Sequence, residues 1–209
     1  MSIGFLHVQG RDFVLDGKRI MLRGYGLGSW LNLEHFMFGL PGTDAQIRQA
    51  IAAAYGADRA HKFWTAYYNA VVGEKDFEFL KELGVNTIRV PFNYRLFEDD
   101  QAPYQYDDHG FIHIDRVLEL CARFGIRAIL DLHAAPGGQN PDWHSDNALG
   151  ESLLWEQADF RKRVIALWKY IAARYAENPW VAAYDLLNEP MMMREDGPLL
   201  ARFYAELIE

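Results

Sequence analysis

The sequence predicts an α/β chain that makes up the N-terminal half, about four βα units, of a (β/α)8 barrel, and three observations predict it. Four strand-length apolar runs recur along its 209 residues: "IMLRGYGLG" (20–28), "VNTIRVPF" (85–92), "IRAILDLHA" (126–134) and "VAAYDLLNE" (181–189). None of them alternates cleanly between polar and apolar positions, which is the pattern of parallel strands buried on both faces. Helical patterns separate the runs, and polar residues collect where the runs end, as they do at the carboxyl-terminal mouth of a barrel.

The elements follow in order. "FVLDGKRIML" has an Asp-Gly turn between two apolar stretches and predicts a hairpin over about residues 5–20. After the first strand, "TDAQIRQAIAAAYG" opens a helix with Thr43 and Gln46 as a capping box. "EKDFEFLKELG" and "IDRVLELCARFG" are helices that close on a glycine suited to the position just past a helix end, and each glycine runs at once into a strand. A longer helix over about 156–177 reaches the fourth strand through an Asn-Pro stop. The final "DGPLLARFYAELIE" sets Leu200, Phe203, Tyr204, Leu207 and Ile208 on one helical face and reads as a fourth helix cut short. No linker or low-complexity stretch interrupts this plan, so residues 1–209 are expected to form one partial barrel domain, with its βα units over about 20–209.

Composition excludes several function classes. Half of the positions are hydrophobic and 14% aromatic, enough for a sizeable core, while the net charge of −8 comes with no basic stripe to neutralise phosphates. Nucleic acid is therefore not an expected partner. The single cysteine, Cys121, rules out an internal disulfide and a Cys-based zinc cluster, and its helical, apolar setting reads as a buried structural thiol. No run of about 18 apolar residues predicts a membrane span, and the opening segment lacks the apolar core of a signal peptide. As written, the chain is expected to be cytoplasmic, without a membrane partner and without a cofactor.

The chemistry-bearing residues stand at the strand ends: Arg89, His133 and the pair Asn188 and Glu189, with Trp30 and Glu34 in the "GSWLNLEHF" that follows the first strand. "GYGLGSW" departs from the dinucleotide fingerprint G-x-G-x-x-G in its third glycine, and no helical pattern follows it, which argues against an open dinucleotide-binding sheet.

Taken in order, "LRGYGLGSWLNLE", "GVNTIRVPFNY", "LDLHAAPGGQN" and "YDLLNEP" resemble the successive strand-end motifs of glycoside hydrolase family 5, the retaining β-glycanases of the cellulase clan. The first and third motifs are closest to its exo-β-1,3-glucanase branch, and the resemblance covers almost the whole chain. It implies hydrolysis of β-glucosidic bonds, with Glu189 as general acid/base, Asn188 holding the sugar 2-hydroxyl, Arg89 and His133 shaping the subsite of bond cleavage, and Glu34 and Trp30 gripping a terminal sugar. Many members of the family are secreted. The family's nucleophilic glutamate, on the seventh strand, has no counterpart here. The resemblance therefore implies that turnover needs a C-terminal half-barrel or self-association, and that the 209-residue chain alone is inactive.

The residue types suit that chemistry. A retaining glycosidase needs one carboxyl that donates a proton to the leaving oxygen and a second, ionised carboxylate about 5–5.5 Å away. Glu189, at the end of a buried strand closed by Pro190, is expected to be desolvated and so favoured in its protonated form. Asn188 offers an uncharged donor and acceptor, and Arg89 a permanent cation. Trp30, Trp143, Tyr94 and Tyr104 offer flat faces for sugar rings.

Each reading has a structural alternative. Arg89 could pair with Asp131 or Asp185, and His133 could be a core histidine bonded to a carbonyl. Glu34 and Trp30 could serve loop packing. "APYQYDDHGFIHID" reads first as a surface loop entering a helix, and the methionines at 191–193 as adaptable packing or an aglycone-side rim. Two further functional alternatives stand: a catalytically incompetent half-barrel that at most binds saccharide, and a metal-dependent barrel hydrolase using His133, Asp142, His144 and Asp146.

Overall fold

The computed structural model describes residues 4–192 and 197–209. Strands β1 (His7–Gln9), β2 (Asp12–Leu15) and β3 (Lys18–Ile20) form a small antiparallel sheet. Between β2 and β3, Asp16 and Gly17 both take positive φ, 50° and 73°, as a two-residue hairpin loop of the favoured twist demands. The expected hairpin is present, and β1 adds a third strand to it.

The main sheet is parallel and runs in chain order: β4 (Gly24–Gly26), β5 (Thr87–Asn93), β6 (Arg127–Ala134) and β7 (Val181–Asp185). In β5 and β6 all but one residue of each strand are buried, as expected of strands that do not alternate cleanly between polar and apolar positions. All three residues of β4 are exposed, and β7 is only partly covered. Two expectations are corrected by these bounds. The first strand is confined to three residues of the nine-residue run, and the fourth stops at Asp185, well before Pro190. Asn188 and Glu189 thus stand on the loop that follows β7, and Pro190 does not terminate the strand.

The first crossover carries four helices, α1 (His35–Phe38), α2 (Asp44–Tyr55), α3 (Ala57–Val71) and α4 (Glu74–Glu82). α2 begins with the complete Thr43/Gln46 capping box. α3 is an addition to the expected plan; its packing residues Ala60, Trp64 and Tyr67 and Tyr68 recur at helical spacing. α5 (Asp108–Phe124) fills the second crossover and ends on Gly125, whose N–H bonds the Cys121 carbonyl. The tyrosine-rich stretch before it is the expected loop into a helix, with Tyr104 exposed. The third crossover divides into α6 (Leu153–Glu156) and α7 (Ala158–Tyr175), and α8 (Gly197–Ile208) follows β7.

The core lies between the parallel sheet and α4, α5 and α7, where Val90, Phe92, Leu130 and Leu132 meet Phe77, Phe111 and Trp168. Cys121 is buried there, and burial pushes its thiol up to about 12, so it is a packing group and not a nucleophile. On α8, Phe203 packs edge-on against Trp155 while Ile208 is exposed, which narrows the expected apolar face. Met191 is exposed and Met192 packs on the core; Met193 lies outside the described residues. Among the described residues no helix is long and apolar enough to cross a membrane.

Candidate active site

Three adjacent strands build the site. On β6, Asp131 and His133 are two residues apart and so share a face. Asp131 has no solvent exposure, and its Oδ2 meets His133 Nδ1 at 2.7 Å and Arg89 Nη2, from β5, at 3.0 Å. Arg89 also grips Asp185 Oδ2 at the end of β7 through Nε and Nη2, at 3.0 and 2.9 Å. Its Nη2 donates to Asn188 Oδ1 at 2.7 Å. Burial pushes the Asp131 carboxyl above its ordinary range, against the pull of His133 and Arg89, and Oδ1 has no hydrogen-bond partner among the described residues. The structural alternative for Arg89 is therefore realised twice over, because it pairs with both aspartates. His133 bonds a carboxylate and not the carbonyl of its structural alternative, which fixes its proton on Nδ1 and leaves Nε2 as the presented nitrogen.

The loop after β6 fixes the pair at 188–189. Asn188 N–H bonds the Leu132 carbonyl at 3.0 Å, a further link to β6 beyond the paired residues of β7. Gln139, fully buried, donates from Nε2 to the carbonyls of His133 and Asn188, at 2.7 and 3.0 Å, and accepts the Ala135 N–H at 3.1 Å. Asn140, also fully buried, donates to the Glu189 carbonyl at 2.9 Å. Both amides stand in the third quoted motif, yet no role was assigned to them from sequence, since their partners lie 49 residues away. Glu189 itself takes a left-handed φ of 45°. Its side chain is 69% exposed, and His144 Nε2 lies 3.4 Å from Oε2. The burial expected for this carboxyl is thus absent, because the residue sits on the loop past the strand.

Two aromatic assignments are corrected. Trp30 has no exposed surface; its indole N–H bonds the Tyr68 carbonyl at 3.0 Å within the core, so it offers no face to a sugar. Tyr94 is 3% exposed, its hydroxyl is bound to Asp100 at 2.9 Å, and Arg95 and Arg163 lie over its ring at 4.8 and 5.5 Å. Burial raises the Tyr94 hydroxyl far above its usual range. Glu34 is half-buried ahead of α1, its N–H on Ser29 Oγ at 3.1 Å and its carboxylate beside Gly28. Trp143, one of the expected aromatic faces, is half-buried and packs edge-on against His35 and exposed Phe36, at 4.1 and 5.7 Å, two rings to which the sequence assigned no such place.

The residues of the metal alternative diverge. Asp146 turns its carboxylate to Ala45 N–H, Asn93 and Arg95, at 2.7, 3.0 and 3.0 Å, while His133 faces Asp131. Among the described residues no three His, Cys, Asp or Glu side chains are grouped to hold a metal ion. A cleft of about 580 Å³ is lined by Arg95, Asp100, Asp146, Phe160 and Arg163 and lies beside the Glu189 group, not over it. The Arg89, His133, Asn188 and Glu189 side chains belong to the carboxyl-terminal end of the parallel sheet, where barrel chemistry is placed.

The family description "Cellulase (glycosyl hydrolase family 5)" matches residues 47–205. A β-xylosidase of Phanerodontia chrysosporium is 47% identical over 189 residues, covering 90% of this chain and 40% of that protein. A probable glucan 1,3-β-glucosidase A of Aspergillus clavatus is 28% identical over 190 residues, covering 88% of this chain and 45% of that protein. The chain thus spans less than half the length of these two relatives. The crystal structure of rutinosidase from Aspergillus niger superposes with a TM-score of 0.71 at 13% identity, over 89% of this chain and 57% of that one, which supports the barrel fold.

Removing Arg89 strands the buried Asp131 carboxylate, so Arg89→Met should destabilise the chain by about 3 kcal/mol. Asp131→Asn in the same background should restore much of that loss, a coupling of about 1–3 kcal/mol in urea denaturation. Strictly additive losses would show that the two side chains are not energetically linked.

Proposed function

The chain belongs to glycosyl hydrolase family 5, and from that premise we propose that it supplies the acid/base half of a barrel that hydrolyses β-glucosidic bonds with retention of configuration. The observation that carries this reading is the single hydrogen-bonded group joining Arg89, Asp131, His133 and Asn188, with Glu189 next in the chain. In it Asn188 Oδ1 is occupied by Arg89, which turns the amide N–H₂ outward as a donor for the sugar 2-hydroxyl. Glu189 gives its proton to the leaving oxygen while a second carboxylate attacks the anomeric carbon. It then takes a proton from the water that releases the sugar. Arg89 and His133 order the floor of the subsite in which the bond breaks, and Glu34 bonds a terminal hydroxyl.

The nucleophilic carboxylate and the remaining wall of the cleft come, in this reading, from a C-terminal half-barrel. The exposed edge strand β4, with Tyr25 60% exposed, and the edge strand β7 are the strands such a partner would pair with. The high identity to a β-xylosidase favours a second substrate class, β-xylosides, beside short β-1,3-linked glucans.

In the polypeptide that carries this segment with its completing half, Glu189→Gln should lower turnover of unactivated oligosaccharides by about 10²–10⁴-fold. Glycosylation by aryl glycosides with acidic leaving groups should suffer much less, because they hardly need the proton. Equal losses for both classes would remove Glu189 from the acid role. Residues 1–209 alone should show no glycosidase turnover and should scatter light as particles of at least twice 24.1 kDa. A stable, active monomer would mean that a carboxylate within this chain acts as nucleophile.

A further inference from the structure

We propose that His144 is a positioning residue for Glu189, holding its carboxylate through an Nε2–H donor; this rests on the reading of Glu189 as acid/base given above. His144 Nε2 lies 3.4 Å from Glu189 Oε2, and the imidazole is largely enclosed, with 14% of its side chain exposed. Its Nδ1 is buried without a hydrogen-bond partner among the described residues. A buried N–H with no acceptor is the costlier orphan, so the proton resides on Nε2 and points at the carboxylate. Asp142 Oδ2, at 3.8 Å, is the other carboxylate near that nitrogen, and the ring of His133, itself bonded to Asp131, lies 5.8 Å away. Trp143, whose ring is edge-on to the imidazole at 5.5 Å, brings His35 as the remaining titratable group of this rim.

The turn that carries the ring is anchored by contacts that do not involve the Glu189 side chain. The His144 carbonyl accepts from Asn32 Nδ2 at 3.0 Å, and the turn that carries it, Trp143–Ser145, closes on Asp146 in the left-handed region. Asp146 is tied to α2 through Ala45 N–H and to β5 through Asn93. Ser145 Oγ donates to the Asn140 carbonyl at 3.0 Å, and Asn140 in turn holds the Glu189 carbonyl. One loop therefore restrains Glu189 at its backbone through Asn140 and at its carboxylate through His144. A carboxyl that is 69% exposed otherwise has many rotamers to choose from, and fixing one of them aims it at the leaving oxygen. Hydrogen bonds of this kind lengthen in the unliganded enzyme and tighten in the complex.

The test uses the full polypeptide with its completing half, on the best hydrolysed of the unactivated oligosaccharides laminaritriose, cellotriose and xylotriose. His144→Phe keeps a ring between Trp143 and His133 but removes the donor; His144→Gln keeps an N–H that reaches the carboxylate. The loss of a bond to a charged group predicts that kcat falls about 10- to 100-fold in the Phe variant with KM changed less than about twofold, and that the Gln variant recovers most of it. Wild-type kcat in the Phe variant, or equal losses in both variants with a raised KM, would overturn the proposal. Glu189→Gln run in parallel separates the two claims. If it is disabled while His144→Phe is unaffected, only the role of His144 falls; if it turns over like wild type, the acid/base reading falls and takes this proposal with it.

Discussion

A carboxylate with no access to water sits at the centre of the parallel sheet, and the arrangement of the site depends on how that charge is held. Stripping water from Asp131 costs several kcal/mol, which only close and well-oriented partners offset. Arg89 and His133 are those partners, and each is committed in turn: Arg89 to Asp185 and Asn188, His133 through its carbonyl to Gln139. The consequence is that β5, β6, β7 and the loop beyond β7 cannot shift independently. A floor fixed in this way gives Asn188 one amide orientation, and the orientation is the one that leaves its donors free.

The same logic extends outward through neutral amides. Gln139 and Asn140 carry no charge, so their burial requires only that their hydrogen bonds be made, and they are made to backbone carbonyls on both sides of the cleft. Asn93 bridges Asp44 and Asp146, joining the first crossover to the loop that carries His144. Burial pushes the Asp44 carboxyl up while Arg48 pulls it down, the same balance that operates at Asp131. Carboxylate-centred clusters at Asp131 and Asp44 thus tie the strands of the sheet to the loops beyond them, and a third, at Glu98 and Arg163, joins the loop after β5 to α7.

Much of this plan is legible in the sequence, and the misses have physical causes. β5 and β6 are readable because both of their faces are buried, so their apolar runs and their extents coincide. β4 and β7 lie at the sheet's edges, where an apolar run continues into irregular chain without a break in composition; the fourth strand was accordingly read past Asp185 and Glu189 was read as buried. Trp30 and Tyr94 were read as sugar platforms because residue type shows that a ring is present, while the direction in which it points is set by Tyr68, Asp100 and Arg163, which are distant in sequence or indistinct in pattern. Arg89, His133 and Asn188 were found together because adjacent parallel strands bring their side chains within reach of one another, Arg89 from within β5 and Asn188 from the loop beyond β7. The roles of Gln139, Asn140 and His144 arise wholly from tertiary contacts across the cleft.

The central claim is that this group presents Glu189 to a glycosidic oxygen and Asn188 to the neighbouring 2-hydroxyl. A crystal structure of the complete polypeptide with a thio-linked β-glucan trisaccharide tests it most directly. The account predicts the Glu189 carboxyl within about 3 Å of the bridging sulfur, hydrogen-bond reach for a general acid, with the Asn188 amide donating to the 2-hydroxyl of the sugar on the cleaved side. A saccharide seated instead in the neighbouring cleft between Arg95 and Arg163, with Glu189 left in solvent, would contradict it.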